Sequence, residues 1–284
     1  MDASVVIPAR NAAHLLPVQL EALSHQDFAG EWEVIVADNG SADGTADVVD
    51  AWTPRLPHLR RVVHAPPGIN GARNAGARAA KGDLIAFCDA DDAATPGWLT
   101  ALHATDADIA GGYLDPEPLN SARTRSSREA NPPDRLPLIM DWLPYATGAS
   151  MSVRAAAFRA LHGFDESWSG GGGDDVELCL RAQLAGHTIA FAPDAVVHYR
   201  LRAGLWPLFT QQMGYGRADA RLYRDFRAHG LTVPGTREAA RGWLVLLATA
   251  HTLADRERAG RWVCEAGWRA GRLRGSVAHR VWCP

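Results

Sequence analysis

The chain alternates short hydrophobic runs with amphipathic stretches through its first 115 residues. The runs Ser4–Ile7, Glu33–Ala37, Arg61–His64, Leu84–Cys88 and Asp108–Tyr113 have the length and composition of strands. Between them, His14–Ser24, Thr45–Trp52, Gly71–Ala80 and Gly97–Thr105 read as helices. Strands alternating with helices predict an α/β fold, a Rossmann-like, mostly parallel sheet flanked by crossover helices. In open sheets of this kind, ligands sit beyond the carboxyl ends of the strands. That rule singles out Pro8-Ala9-Arg10-Asn11, Asp38-Asn39-Gly40-Ser41 and Asp89-Ala90-Asp91-Asp92 as loops converging on one crevice.

Periodicity fades in residues 115–145, which are rich in Pro, Arg and Ser and read as a long excursion. Order returns with Thr147-Gly148-Ala149-Ser150-Met151-Ser152, then a helix at Ala155–Leu161 and short strands at Thr188–Ala192 and Val196–Tyr199. From Leu205 onward the pattern is helical, with breaks expected at Gly230–Gly235 and around Gly260. The expected division is a sheet domain at 1–204, with halves 1–115 and 116–204, and a helical extension at 205–284.

Composition narrows the class. With 284 residues and 47% apolar content the chain can bury a sizeable core. Met1-Asp2-Ala3-Ser4 has no basic region before the first strand, and no apolar run approaches the roughly 18 residues that cross a bilayer. Four cysteines lack CxxC spacing, as expected of reduced thiols and a cytoplasmic setting. Charge is uneven: residues 1–200 hold 15 basic and 26 acidic side chains, residues 201–284 hold 14 and 6. The basic end is almost all Arg, interleaved with Trp206, Trp243, Trp262, Trp268 and Trp282. Two readings stand, a solvated helical face or a peripheral contact with an anionic membrane or phosphate-bearing acceptor.

The chemistry concentrates in four places. Gly82–Asp92 is an apolar strand ending in three carboxylates within four residues. Such hard oxygen donors suit Mg²⁺ or Mn²⁺, the alternative being an acidic turn capping the next helix. Asp38, ahead of the turn Ser41-Ala42-Asp43-Gly44-Thr45, is placed to accept a hydrogen bond from a nucleobase. Gly68-Ile69-Asn70-Gly71-Ala72-Arg73-Asn74 opens a small-residue helix with Arg73 as a phosphate or ribose ligand, or a surface ion pair. Ser169–Gly173 is a glycine loop leading to Asp174 and Asp175 at a helix N-terminus, where the macrodipole favours an ionised carboxylate fit to act as a base. His198 gains weight only if it meets the Asp89–Asp92 cluster.

In order and spacing these motifs, with Val5-Val6-Ile7-Pro8 and Val176-Glu177-Leu178-Cys179-Leu180-Arg181, resemble the inverting glycosyltransferases of family 2, which have the GT-A fold. The resemblance covers roughly residues 3–225. It implies that Pro8, Ala9, Arg10, Asn11, Asp38 and Asn39 line a nucleobase pocket, with Gly71, Arg73, Asp89, Ala90 and Asp91 near the rest of a nucleotide-diphospho-sugar donor. Asp91 and Asp89 match the metal-associated DxD pair, and His198 a third ligand. Asp175, with Asp174 beside it, matches the carboxylate that deprotonates an acceptor hydroxyl. Acceptor-site candidates are Gly148, Trp168, Gly172, Gly173 and Arg181. The implied cofactor is Mn²⁺ or Mg²⁺, the implied donor a UDP-sugar, with dTDP- and GDP-sugars open and the acceptor class unassigned. A homodimer is an expectation, a nucleic-acid partner is not.

Competing readings fare worse. Nucleotidyl transfer calls for a glycine- and lysine-rich loop after the first strand, and a dinucleotide oxidoreductase for GxGxxG; Pro8-Ala9-Arg10-Asn11 supplies neither. A catalytically weak sugar-nucleotide-binding scaffold has no need of Asp89, Asp91 and Asp175 together.

Overall fold

The structure, a computed structural model, describes residues 1–56, 58–168, 172–255 and 258–284. Strands β1 (Ala3–Ala9), β2 (Trp32–Asp38), β3 (Leu59–Val63) and β4 (Leu84–Cys88) run parallel. Helices α1 (Leu16–Ser24), α2 (Thr45–Trp52) and α3 (Ile69–Ala79) join them. There follow β5 (Ala93–Ala94), α4 (Trp98–Ala104), β6 (Ile109–Asp115), α5 (Ala122–Arg125) and a hairpin of β7 (Leu138–Ile139) and β8 (Leu143–Pro144). The body closes with β9 (Ser150–Arg154), α6 (Ala155–Ala160), α7 (Asp174–Leu184) and β10 (Ile189–His198). Eight strands form one sheet in the order β3-β2-β1-β4-β9-β6-β10-β5.

Because strand side chains alternate between faces, the sheet builds two cores. Val5 and Ile7 pack with Leu16, Leu20, Trp98 and Leu102 on one side. Val6, Ile35 and Phe87 pack with Ala72, Phe158 and Leu178 on the other. All seven residues of β1 are buried, as befits a strand covered on both faces. Strand order reverses between β1 and β4, so the crevice beyond their carboxyl ends is the switch point where open α/β sheets bind ligands.

The structure refines the sequence reading at three places. Ser150–Arg154 is a strand, inserted antiparallel between β4 and β6. Thr188–Ala192 and Val196–Tyr199 are one strand: Pro193 has no N–H to donate, and the ladder with β6 absorbs the interruption as a register shift between Ala192 and Val196. The helical break expected around Gly260 ends at Ala259, where the last helix begins, and the missing Cβ of Gly260 leaves room there for Ser127.

The C-terminal helices are α8 (Leu205–Phe226), α9 (Thr236–Ala248) and α10 (Ala259–His279), with the expected break between α8 and α9. Ala218, Leu222 and Phe226 of α8 share a hydrophobic cluster with Trp168, Val176 and Leu180, so this segment is packed onto the site-bearing loop and α7. Gly267 and Gly271 let α10 approach the α8 backbone at Phe209 and Met213. Among the described residues no helix is long and apolar enough to cross a membrane.

Candidate active site

The crevice is built from strand ends. Arg10 and Asn11 emerge exposed after β1. Asn11 turns at φ 51, takes a hydrogen bond from the Ala42 N–H at 2.9 Å and donates its own N–H to Ser41 at 3.0 Å, tying the two loops together. Asp38, the last residue of β2, accepts the Ser41 N–H at 2.9 Å and Nη1 of Arg61 at 2.8 Å. Burial opposes its charge, but the hydrogen bonds from Ser41 and Arg61 prevail and hold its carboxyl below the usual range.

Beyond β4, Asp89, Asp91 and Asp92 each offer a carboxylate oxygen, all within 4.8 Å of one another. Ala90 is buried between them. Asp92 is fully buried; one oxygen accepts the Arg200 N–H at 2.7 Å and the other has no partner among the described residues. Arg200 also donates Nε to the Asp91 carbonyl at 2.8 Å. Burial, followed by the charge of Asp89, pushes the Asp91 carboxyl up and that of Asp92 up to about 9. Three crowded, partly desolvated carboxylates with an orphaned inward oxygen fit a hard divalent cation.

The second acidic group comes to the same place. Asp174 and Asp175 begin α7, and Arg73 reaches from α3 to bond Asp174 through Nη1 at 2.6 Å and Asp89 through Nη2 at 3.3 Å. The two groups of acids therefore lie within the span of one guanidinium. Burial works against the charge of Arg73, but Asp174, Asp89 and Asp175 together raise its pKa. Among the described residues Asp175 has no ion pair of its own. Its carboxylate accepts the Gly148 N–H and the Val176 N–H, each at 2.9 Å. Burial, then the charge of Asp174, lifts its pKa to about 6, so desolvation overrides the helix-end effect expected from sequence. A Cβ on Gly148 would stand 2.7 Å from Nη2 of Arg73, so glycine there keeps the guanidinium in place.

Residues 4–160, more than half of the sequence, match the model of the family described as glycosyl transferase family 2. The chain belongs to this family. Two validoxylamine A glucosyltransferases of Streptomyces hygroscopicus, subspecies jinggangensis and limoneus, are 34% and 33% identical over 219 residues, covering 64% of this chain and 51% and 48% of theirs. The pre-mycofactocin glycosyltransferase of Mycobacterium tuberculosis is 30% identical over 243 residues, 78% of this chain and 47% of that one. The chain thus spans about half the length of these curated relatives. Among solved structures, the Pyrobaculum calidifontis mannosyltransferase PcManGT, in complex with GDP-Man and Mn²⁺, superposes with a TM-score of 0.64 at 18% identity over 96% of this chain and 86% of that one. Staphylococcus aureus TarS 1-349 in complex with UDP-GlcNAc gives 0.55 at 17% identity over 99% and 93%. The fold is GT-A.

Within this family 2 chain several sequence-picked residues serve the scaffold. Asn39 spends its amide on the carbonyls of His64 and Pro66 and the N–H of Gly68, fixing the loop before α3. Gly71 makes room for the His64 ring, which a Cβ would strike. Arg181 is turned away from the crevice: it clamps Glu177 through two nitrogens at 2.8 and 2.9 Å and donates to the carbonyls of Leu161 and Gly163. His198, at the end of β10 opposite Ala93, does not join the three-carboxylate set. Ser169, Gly170 and Gly171 of the glycine loop lie outside the described residues; Gly172 and Gly173, at φ 112 and 83, sit where a Cβ would strike Tyr215 and Ala218 of α8. Trp168 packs beneath Arg221, whose guanidinium carbon is 4.2 Å from the ring centre. Sequence counted Asp92 among the three carboxylates of the acidic run, but the family resemblance gave it no ligand role, and Arg61 and Arg200 have no motif to mark them.

Proposed function

We propose that this family 2 enzyme is a metal-dependent, inverting glycosyltransferase that moves a hexosyl unit from a nucleoside diphosphate donor, a UDP-sugar first, to an acceptor hydroxyl. The observation that carries the reading is Arg73 bridging Asp89 and Asp174, which puts a cation-binding cluster and a candidate base in one crevice. Pro8, Ala9, Arg10, Asn11 and Asp38 at the strand ends would face the nucleoside. Asp89, Asp91 and Asp92 would hold Mn²⁺ or Mg²⁺, and His198, which pairs across the sheet with Ala93 next to Asp92, is to be tested beside them. When bound, such a cation offsets the charge that grows on a departing diphosphate.

Asp175 fits the base. Asp174 is occupied by Arg73, whereas among the described residues Asp175 meets two backbone N–H groups and no cation, and a carboxyl of pKa about 6 is ionised at neutral pH yet basic enough to take a proton. The acceptor oxygen attacks the anomeric carbon from the face opposite the diphosphate. Its proton passes to Asp175 as the bond from the anomeric carbon to the diphosphate oxygen breaks, so the configuration inverts. Gly148, Trp168, Gly172 and Gly173 border this side of the crevice and would shape the acceptor site. Support for the donor class comes from GDP-Man and UDP-GlcNAc in the two structural neighbours.

The test is release of nucleoside diphosphate from UDP- and GDP-sugars after chelation and again after Mn²⁺ is restored, with the product anomer read by NMR. Turnover that ignores chelation removes the metal assignment, and a product that retains the donor configuration removes the direct displacement.

A further inference from the structure

The C-terminal helices present a face that glycosyl transfer does not use. Only Ala239 and Leu246 of the 13 residues of α9 are buried, and Trp262 of α10 pins the helix by donating its indole N–H to the Leu246 carbonyl at 2.9 Å. On the outward side Leu244, Val245 and Leu247 are 66%, 54% and 70% exposed. A helix that merely faces water places polar side chains at such positions. Exposed Arg241 precedes Val245 by one helical turn, and exposed Arg237 precedes Arg241 by another. Alongside runs a groove of about 700 Å³ between α9 and α10, lined by Arg241, Arg258, Arg261 and Arg269 and also by Glu238 and Glu265, the latter paired with Arg269 at 2.6 Å, which leaves arginine in excess. Trp282, 56% exposed, donates its indole N–H to Thr236 at the first residue of α9. Bulky aliphatics flanked by arginines and an indole are what a helix lying in a membrane interface carries.

Charge selects among occupants. Residues 201–284 hold 14 basic and 6 acidic side chains against 15 and 26 in the remainder, so an anionic sheet of lipid attracts this end and repels the other. A second copy of the chain fits less well, because a two-fold contact through this patch sets arginines against arginines.

We propose that the outward face of α9, with the arginine rim of the α9–α10 groove, docks this protein peripherally on an anionic phospholipid bilayer. The contact combines insertion of the Leu244, Val245 and Leu247 side chains below the headgroups with pairing of Arg237 and Arg241 to lipid phosphates.

Vesicle co-sedimentation of the full chain tests this, with phosphatidylglycerol against phosphatidylcholine vesicles, at low and high salt. Three proteins are compared: wild type, the Leu244→Gln/Leu247→Gln variant and the Arg237→Gln/Arg241→Gln variant. All four substituted positions are exposed, and unchanged thermal unfolding shows that the variants are folded. The expected result is pelleting with phosphatidylglycerol only, weakened by salt. Each arginine removed should lower the partition coefficient about fivefold, and each leucine about tenfold. Wild type that stays in the supernatant at low salt overturns the proposal. So does equal pelleting on phosphatidylcholine, or undiminished pelleting of the leucine variant. Light scattering supplies a further arm: a dimer that the leucine substitutions dissolve assigns the patch to a second copy and overturns the lipid contact.

Discussion

Replacing Arg73 with Met should destabilise the protein by an amount that depends on pH in a defined direction. Arg73 is buried, and its two terminal nitrogens hold Asp174 at 2.6 Å and Asp89 at 3.3 Å, with the Asp175 charge also nearby. Met fills the aliphatic part of the space beside Phe164 but leaves Asp174 and Asp175 adjacent and uncompensated. Removing one partner of a buried ion pair costs about 3–5 kcal/mol. For a chain of this size that is a fall in Tm of roughly 6–10 °C.

The sign with pH follows from Asp175. Its folded pKa, already about 6 against 3.8 for an ordinary aspartate, rises further once the lowering effect of Arg73 is gone. A carboxyl whose folded pKa lies above its unfolded one favours folding when protonated, and that advantage is lost as pH rises through the window between the two values. The gap in stability between wild type and Arg73→Met should therefore be widest above neutrality and narrow as pH falls toward the ordinary aspartate value. Calorimetric unfolding in metal-free buffer across that range measures it. Adding Asp174→Asn to Arg73→Met should restore part of the loss at high pH, because it removes one of the two stranded charges. A gap that does not change with pH, or a loss below about 1 kcal/mol at high pH, would refute the view that this guanidinium is the electrostatic tie of the site.

Asp175→Asn should lower transfer about 10² to 10⁴-fold while calorimetric donor affinity stays the same; retained turnover would move the base elsewhere. In the wild type kcat/KM should fall on the acid side with an apparent pKa of about 6, so a rate that holds level well below that pH argues against Asp175. Asp91→Ala should abolish the Mn²⁺-dependent part of donor binding, and unchanged titration isotherms with and without the metal would count against the carboxylate cluster.

Strands β1, β2 and β4 were legible because they are buried on both faces and so read as largely apolar runs bounded by turn residues. Leu84–Cys88 and Thr45–Trp52 were placed to the residue. β9 was not, for a physical reason: Ser150 and Ser152 are buried polar residues, and Ser150 accepts the Trp98 indole N–H at 3.0 Å. Their polarity masks a strand whose stability comes from two neighbours distant in sequence. Pro193 misled in the opposite sense, since a strand survives a proline where a bulge absorbs the missing donor.

The site shows the same division. Carboxylates crowded after a strand, and acids at a helix start, are local signals. Which acid meets which cation is not, and the partners of Arg73 stand 16 and 101 residues away. Sequence offered Arg73 as a nucleotide ligand or a surface ion pair, and neither reading contains its position between two acidic groups. The glycines before Asp174 carry a related lesson. Sequence associates them with a loop free to move, but Gly172 and Gly173 lie where Tyr215, Ala218 and Trp168 leave no space for a Cβ. At these two positions the left-handed backbone and the missing side chain allow α8 to press against the start of α7. The helical extension, the segment least interpretable in sequence, is thereby a wall of the crevice, and a substitution on α8 facing Gly172 belongs in the same experimental series as one at Asp175.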